Sequence, residues 1–187
     1  MAAGIQVYRL VTNDEDYTTY RLPVASERKW LEVHGKAPFL PADTWDPIVL
    51  MVDVPKLEPD FFMVEDRFVV VSERARTALA PLWGANVEFL PVMNDQSNPC
   101  VLNIPRAEPG VLDLGRSVIE RLPLTGHVLA IKRHSFHPDR LSGRPIFRIP
   151  ELPYDILVTD AFREAYESHG LHGLSFTVDE LLWTNFY

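Results

Sequence analysis

Apolar residues in this chain fall into short runs separated by charged or proline-rich breaks, and the runs have different periods. Val87-Glu88-Phe89-Leu90-Pro91-Val92 alternates after Gly84, as a half-buried strand does. Phe68-Val69-Val70-Val71 does not alternate, and neither does Ile48-Val49-Leu50-Met51-Val52, which reads as a buried strand stopped by Pro55 and Pro59. Further strands are predicted at Ile5 to Val11, Cys100 to Ile104, His127 to Lys132, Ile146 to Ile149, Ile156 to Val158 and Leu174 to Val178. Glu65-Asp66-Arg67 interrupts the apolar stretch from Phe61 to Val71 as either a hairpin turn or a loop. Val118-Ile119 and Leu122 mark a turn of helix that Pro123 ends, and Pro138 to Arg144 reads as a loop. Residues 23 to 47, with four prolines, Trp30 and Trp45, suit irregular chain fixed by its aromatics, and residues 94 to 99 are a dense turn signal.

Two helices are predicted, over about 72–80 and 160–169. Ser72 is placed to accept a bond from a first-turn amide, Glu73 lies at the positive end of the dipole, and Ala75, Ala78, Leu79 and Leu82 repeat at helical spacing. Thr159 and Asp160 start the second helix in the same way. Phe162, Ala165 and Tyr166 form its apolar face, and Gly170 is a natural left-handed exit residue. The two strand, cap, helix, glycine, strand units suggest a duplicated supersecondary element, which requires both helices to face the same layer.

Sixteen prolines against nine glycines disfavour long helices, and 47% apolar content in 187 residues is enough for one sizeable core. The expected fold is a single α+β domain over residues 1–187, with a mixed or mainly antiparallel sheet, two short capped helices and proline-rich loops. No run approaches the roughly 18 apolar residues needed to span a bilayer, and the N-terminus lacks a signal-peptide pattern, so a cytoplasmic protein with no membrane partner is expected.

A formal charge of −8 repels phosphate backbones and argues against nucleic acid as the partner. The single cysteine, Cys100, reads as a buried structural thiol, since no electropositive helix start adjoins it. His134-x-x-His137 and His169-x-x-His172 have ligand-like spacing, but neither pair has a local Cys or Glu to complete a zinc set. No metal or cofactor is therefore expected. The alternative is a metal-dependent enzyme or accessory protein using His134, His137 and Asp139. Ser72, Glu73 and Arg74 point in different directions from a helix and cannot converge on one bond, which makes a cap the better reading than an active site. Loop acids Asp14, Glu15, Asp16, Asp43 and Asp46 are the candidate contacts for a basic protein partner.

The order of Phe68-Val69-Val70-Val71-Ser72-Glu73-Arg74, Leu90-Pro91-Val92, Leu112-Asp113 with Ser117, Ile146-Phe147-Arg148, and Val158-Thr159-Asp160 through Gly173-Leu174-Ser175-Phe176 resembles the Imm11 (DUF1629) family. The likeness spans about residues 45–180, and its most specific pieces are Val-Ser-Glu-Arg and Ile-Phe-Arg. Where the family pattern often carries a Cys beside the Asp of the middle segment, this chain has Leu112. The resemblance implies a non-enzymatic immunity protein that binds and neutralises a cognate bacterial toxin domain, encoded next door.

Overall fold

The computed structural model describes residues 5–23, 40, 42–93 and 98–184. The expectations for residues 24–39, 41 and 94–97 lie outside them. One sheet has five strands in the order β4 (Ile48–Val49), β8 (Glu88–Met93), β9 (Cys100–Asn103), β7 (Phe68–Val71), β6 (Phe61–Val64). All its pairs are antiparallel except β4 with β8. A second, fully antiparallel sheet orders β12 (Ile146–Ile149), β13 (Leu152–Thr159), β1 (Gln6–Arg9), β15 (Leu181–Thr184). Three two-stranded pieces complete the pairing: β2 (Val11–Thr12) with β14 (Leu174–Ser175), β3 (Thr19–Arg21) with β5 (Met51–Val54), and β10 (Val118–Arg121) with β11 (Val128–Arg133). The helices are α1 (Glu73–Ala78), α2 (Pro138–Leu141) and α3 (Asp160–Ser168). The fold is thus α+β with mainly antiparallel sheets in one domain.

Both large sheets are covered on both faces, which explains the unbroken apolar runs. Val69 and Val71 of β7, Ile156 and Val158 of β13 and Tyr8 of β1 point into a central core with Ala75 and Leu79 of α1 and Phe162 and Tyr166 of α3. The opposite face of β7, Phe68 and Val70, joins Leu22, Ile48 and Leu90 in a second core. Val7, Leu157 and Phe147, on the outer face of the other sheet, join Phe136, Leu141 and partly buried Ile119 and Ile131 in a third.

Several expectations need correction. Ile48 to Val52 is two strands and is fully buried only at Ile48: Val49, Met51 and Val52 are exposed, and among the described residues β5 pairs only with β3. Val118 to Arg121 is a strand, because Val128 to Arg133 returns beside it and supplies ladder partners that sequence spacing cannot reveal. Pro138 to Leu141 forms a short helix, with Pro138 at a first-turn position where its missing N–H costs nothing. The predicted strand Leu174 to Val178 stops at Ser175, leaving Val178 exposed. Glu65-Asp66-Arg67 is a hairpin turn, with left-handed φ of 54° and 50° at its first two residues.

Both main helices pack on the central core, so the layer requirement of a duplication is met. The units still differ. Gly170 has φ 56°, whereas Gly84 has no positive φ; β8 rejoins the sheet of β7, but β14 pairs outside the sheet of β13.

Candidate functional site

Ser72 stands at the end of β7 with extended backbone, and its Oγ accepts from the Ala75 amide at 3.0 Å. The same hydroxyl donates to Asp60 Oδ1 at 2.7 Å. Its proton and one lone pair are therefore both engaged within the fold. Asp60, 4% exposed at the entrance to β6, also accepts from Arg74 Nη1 at 2.6 Å and the His172 amide at 3.0 Å through Oδ2. Its backbone completes the junction: Asp60 and Phe61 amides both donate to the His172 carbonyl, and the Asp60 carbonyl accepts from the Ser72 amide.

Arg74 carries the junction to the far helix. Its Nη2 donates to the carbonyls of His169 and Gly170, which follow the last turn of α3. That helix ends in a Schellman arrangement, with Leu171 N bonded to Tyr166 O and Gly170 N to Glu167 O. Arg74 thus satisfies carbonyls at the negative end of the dipole, where a cation is favoured. Glu73 is a first-turn acid of α1 and Asp160 of α3, and Asp160 Oδ1 accepts from the Gln6 amide. Thr159 is a correction: it occupies the cap position, but its side chain makes no capping bond.

Ser72→Ala is expected to cost about 2 kcal/mol rather than the ~1 kcal/mol of a lost cap, because it also removes a donor from a buried carboxylate. Urea unfolding at constant m-value measures this, and a loss below about 0.5 kcal/mol contradicts it.

The candidate acids occupy two separate places. Asp14, Glu15 and Asp16 are exposed in the β2–β3 connection, where Asn13 bonds to Asp16 and the Glu15 amide, and Lys56 reaches the Glu15 carbonyl. Asp43 and Asp46 are exposed around the 3-10 turn Ala42–Thr44 before β4. Asp14 also borders a cleft of about 600 Å³ between the β6–β7 turn and β13. Three arginines line that cleft. Arg9 pairs with Asp155 at 3.0 Å, Arg67 lies 5.7 Å from the Phe68 and Tyr154 rings, and buried Arg148 donates to the Pro153 carbonyl at 2.7 Å. Burial pulls the Arg148 pKa down to about 10. The cleft is amphoteric, with Glu65 and Asp66 facing the same space.

The histidine sets are placed apart by their elements. His134 follows β11 and stacks on Phe136, with Nε2 buried and without a hydrogen-bond partner. His137 precedes α2, its amide donating to the Val111 carbonyl, and Asp139 is exposed on that helix. His172 stacks on Tyr17, while His169 closes α3. Among the described residues no three His, Cys, Asp or Glu side chains gather as a metal site. Burial, reinforced by Arg9, depresses the His134 pKa below its usual 6.5, so folding favours the neutral ring. That contribution is present above pH 6.5 and is lost as pH falls below it. His134→Phe, which keeps the stack, is expected to flatten the stability decline between pH 7.5 and 5.5; an unchanged decline contradicts this assignment.

Cys100 is buried, as expected, and the neighbouring cation comes from a helix end rather than a helix start: Arg76 Nη1, in the last turn of α1, lies 3.1 Å from Sγ. Burial outweighs that guanidinium and raises the thiol pKa. The residue missed by sequence reasoning is Asp60. Pro59-Asp60 reads as an ordinary turn, and its partners lie 12 and 112 residues away. No helix of the described residues is long and apolar enough to cross a membrane. No protein-family model matches the chain, and no curated protein matches it significantly.

Proposed function

We propose that this chain is an immunity protein of the Imm11 kind, a non-catalytic cytoplasmic partner that binds and neutralises a cognate bacterial toxin domain. One observation carries the reading. Two sequence pieces behind the resemblance, Val-Ser-Glu-Arg and the stretch from Val158 to Phe176, are bonded into a single junction by Arg74 and Asp60. A third piece, Ile-Phe-Arg, lies in β12 with its arginine against the cleft.

A protein that neutralises by occlusion needs an exposed docking surface, and complementary charge speeds the encounter. The exposed acids Asp14, Glu15, Asp16, Asp43 and Asp46 suit basic ground on a toxin such as a nuclease. Coexpression with the toxin domain encoded beside this gene is expected to restore growth, and the two purified proteins to form a one-to-one complex. Failure of both removes the reading. Near-stoichiometric zinc in the purified protein would favour the rival centred on His134, His137 and Asp139.

A further inference from the structure

The β10–β11 hairpin carries one of two groups of exposed apolar side chains among the described residues; the other runs along β4 and β5. Ile119 and Ile131 are paired on one face and pack at the edge of the third core, anchoring its base. Neither strand pairs with a third among the described residues. Five large apolar side chains in residues 114–134 are exposed: Leu114, Val118, Leu122, Leu129 and Leu124. Leu124, at the tip, is 99% exposed and makes no use of its apolar surface within the chain. Exposed apolar side chains gathered on one protruding element mark an interaction surface, whereas scattered single ones need no explanation.

Charge sets the kind of partner. Residues 113–134 hold Arg116, Arg121, Lys132 and Arg133 against Asp113, which pairs with Arg116, and Glu120, which makes an exposed pair with Lys132 at 3.1 Å, a net +2 within a chain of −8, which leaves −10 for everything else. An apolar tip flanked by cations fits a surface that is apolar at its centre and acidic at its rim. We propose that this hairpin is an arm that grips the toxin domain, with Leu124 seated in an apolar depression and Arg121 and Lys132 facing acidic ground around it. The inference rests on the neutralisation reading and adds to it a second contact, opposite in charge to the acidic loops. The arm meets the toxin away from any basic active-site ground.

Binding kinetics with the purified toxin domain test it, using the wild-type chain, Leu124→Asp, and the double variant Arg121→Glu with Lys132→Glu. Leu124→Asp is expected to weaken Kd at least tenfold through faster dissociation with an unchanged Tm, since the side chain is fully exposed. The double variant is expected to slow association at least threefold at low salt. Binding of both variants within twofold of wild type overturns the arm while leaving neutralisation standing; absence of wild-type binding overturns both. Faster association of the double variant overturns the acidic rim. Two controls identify other occupants. A wild-type dimer in sedimentation that Leu124→Asp abolishes assigns the tip to a second copy, and cosedimentation with phosphatidylserine vesicles lost in that variant assigns it to lipid. Either result overturns the proposal.

Discussion

Gly173→Ala is expected to be among the most damaging single-methyl changes in the molecule, destabilising it by about 3 kcal/mol or more. Gly173 has φ 100°, a region that L-residues rarely enter, and a β-carbon there would collide with the Phe61 carbonyl and crowd Pro59. The crowding has a cause. The preceding residue's carbonyl accepts both the Asp60 and Phe61 amides, which draws the two backbones together where β6 begins. Relief requires breaking those bonds, so strain and lost hydrogen bonding add. Thermal and urea unfolding of the variant measure the effect. A loss under about 1 kcal/mol means that this approach is looser than described. Gly84→Ala, with open space around its β-carbon and no positive φ, is the matched control.

Asp60→Ala is expected to cost about 3 kcal/mol. The carboxylate is nearly inaccessible, and its removal leaves the Ser72 hydroxyl and the His172 amide without their acceptor. Arg74 contributes less than a buried partner would, because half its side chain is in water. Asp60→Asn should cost less, about 1–2 kcal/mol, since it keeps one acceptor oxygen but turns an amide donor toward another donor. A double-mutant cycle with Arg74→Met separates the ion pair from the rest. Coupling below about 0.5 kcal/mol would assign the junction's strength to Ser72 and His172 alone. In either variant, toxin binding by the folded fraction should persist, because the bonds of Asp60, Ser72 and Arg74 involve neither the loop acids nor the arm.

Local signals in the chain were readable where a residue's partner lies within a few positions. The cap at Ser72 and the exit at Gly170 depend on backbone groups one turn away, and both are as the pattern indicates. The all-apolar strand Phe68 to Val71 was legible as buried, though its second covering layer was not. Val118 to Arg121 misled because an edge hairpin with one partly buried face has too few core positions to establish a period of two. Ile48 to Val52 misleads in the opposite sense, since its apolar content implies burial whereas Met51, Val52 and Val54 of β5 are exposed. Asp60 could not be seen at all. Its role comes from groups 12, 14 and 112 residues distant, and the sequence beside it carries no trace of them.

The candidate site divides along the same line. Ser72-Glu73-Arg74 has the composition of chemistry and proves to be a strut: the hydroxyl's proton is held by Asp60, and the guanidinium ties Asp60 to the end of α3. Loop acids gave a charge but no geometry. The most exposed apolar side chain, Leu124, lay in a stretch whose pattern was weak, and only its placement at a hairpin tip gives it meaning.

The central claim is that this chain neutralises a toxin by binding it. Titration calorimetry of the purified chain against the proposed toxin domain, sought in the neighbouring gene, tests this most directly, with that domain's own activity followed in the same samples. The account predicts saturation at one chain per toxin and loss of toxin activity in step with occupancy. Absence of binding at tens of micromolar, or a saturated complex in which the toxin remains active, contradicts it.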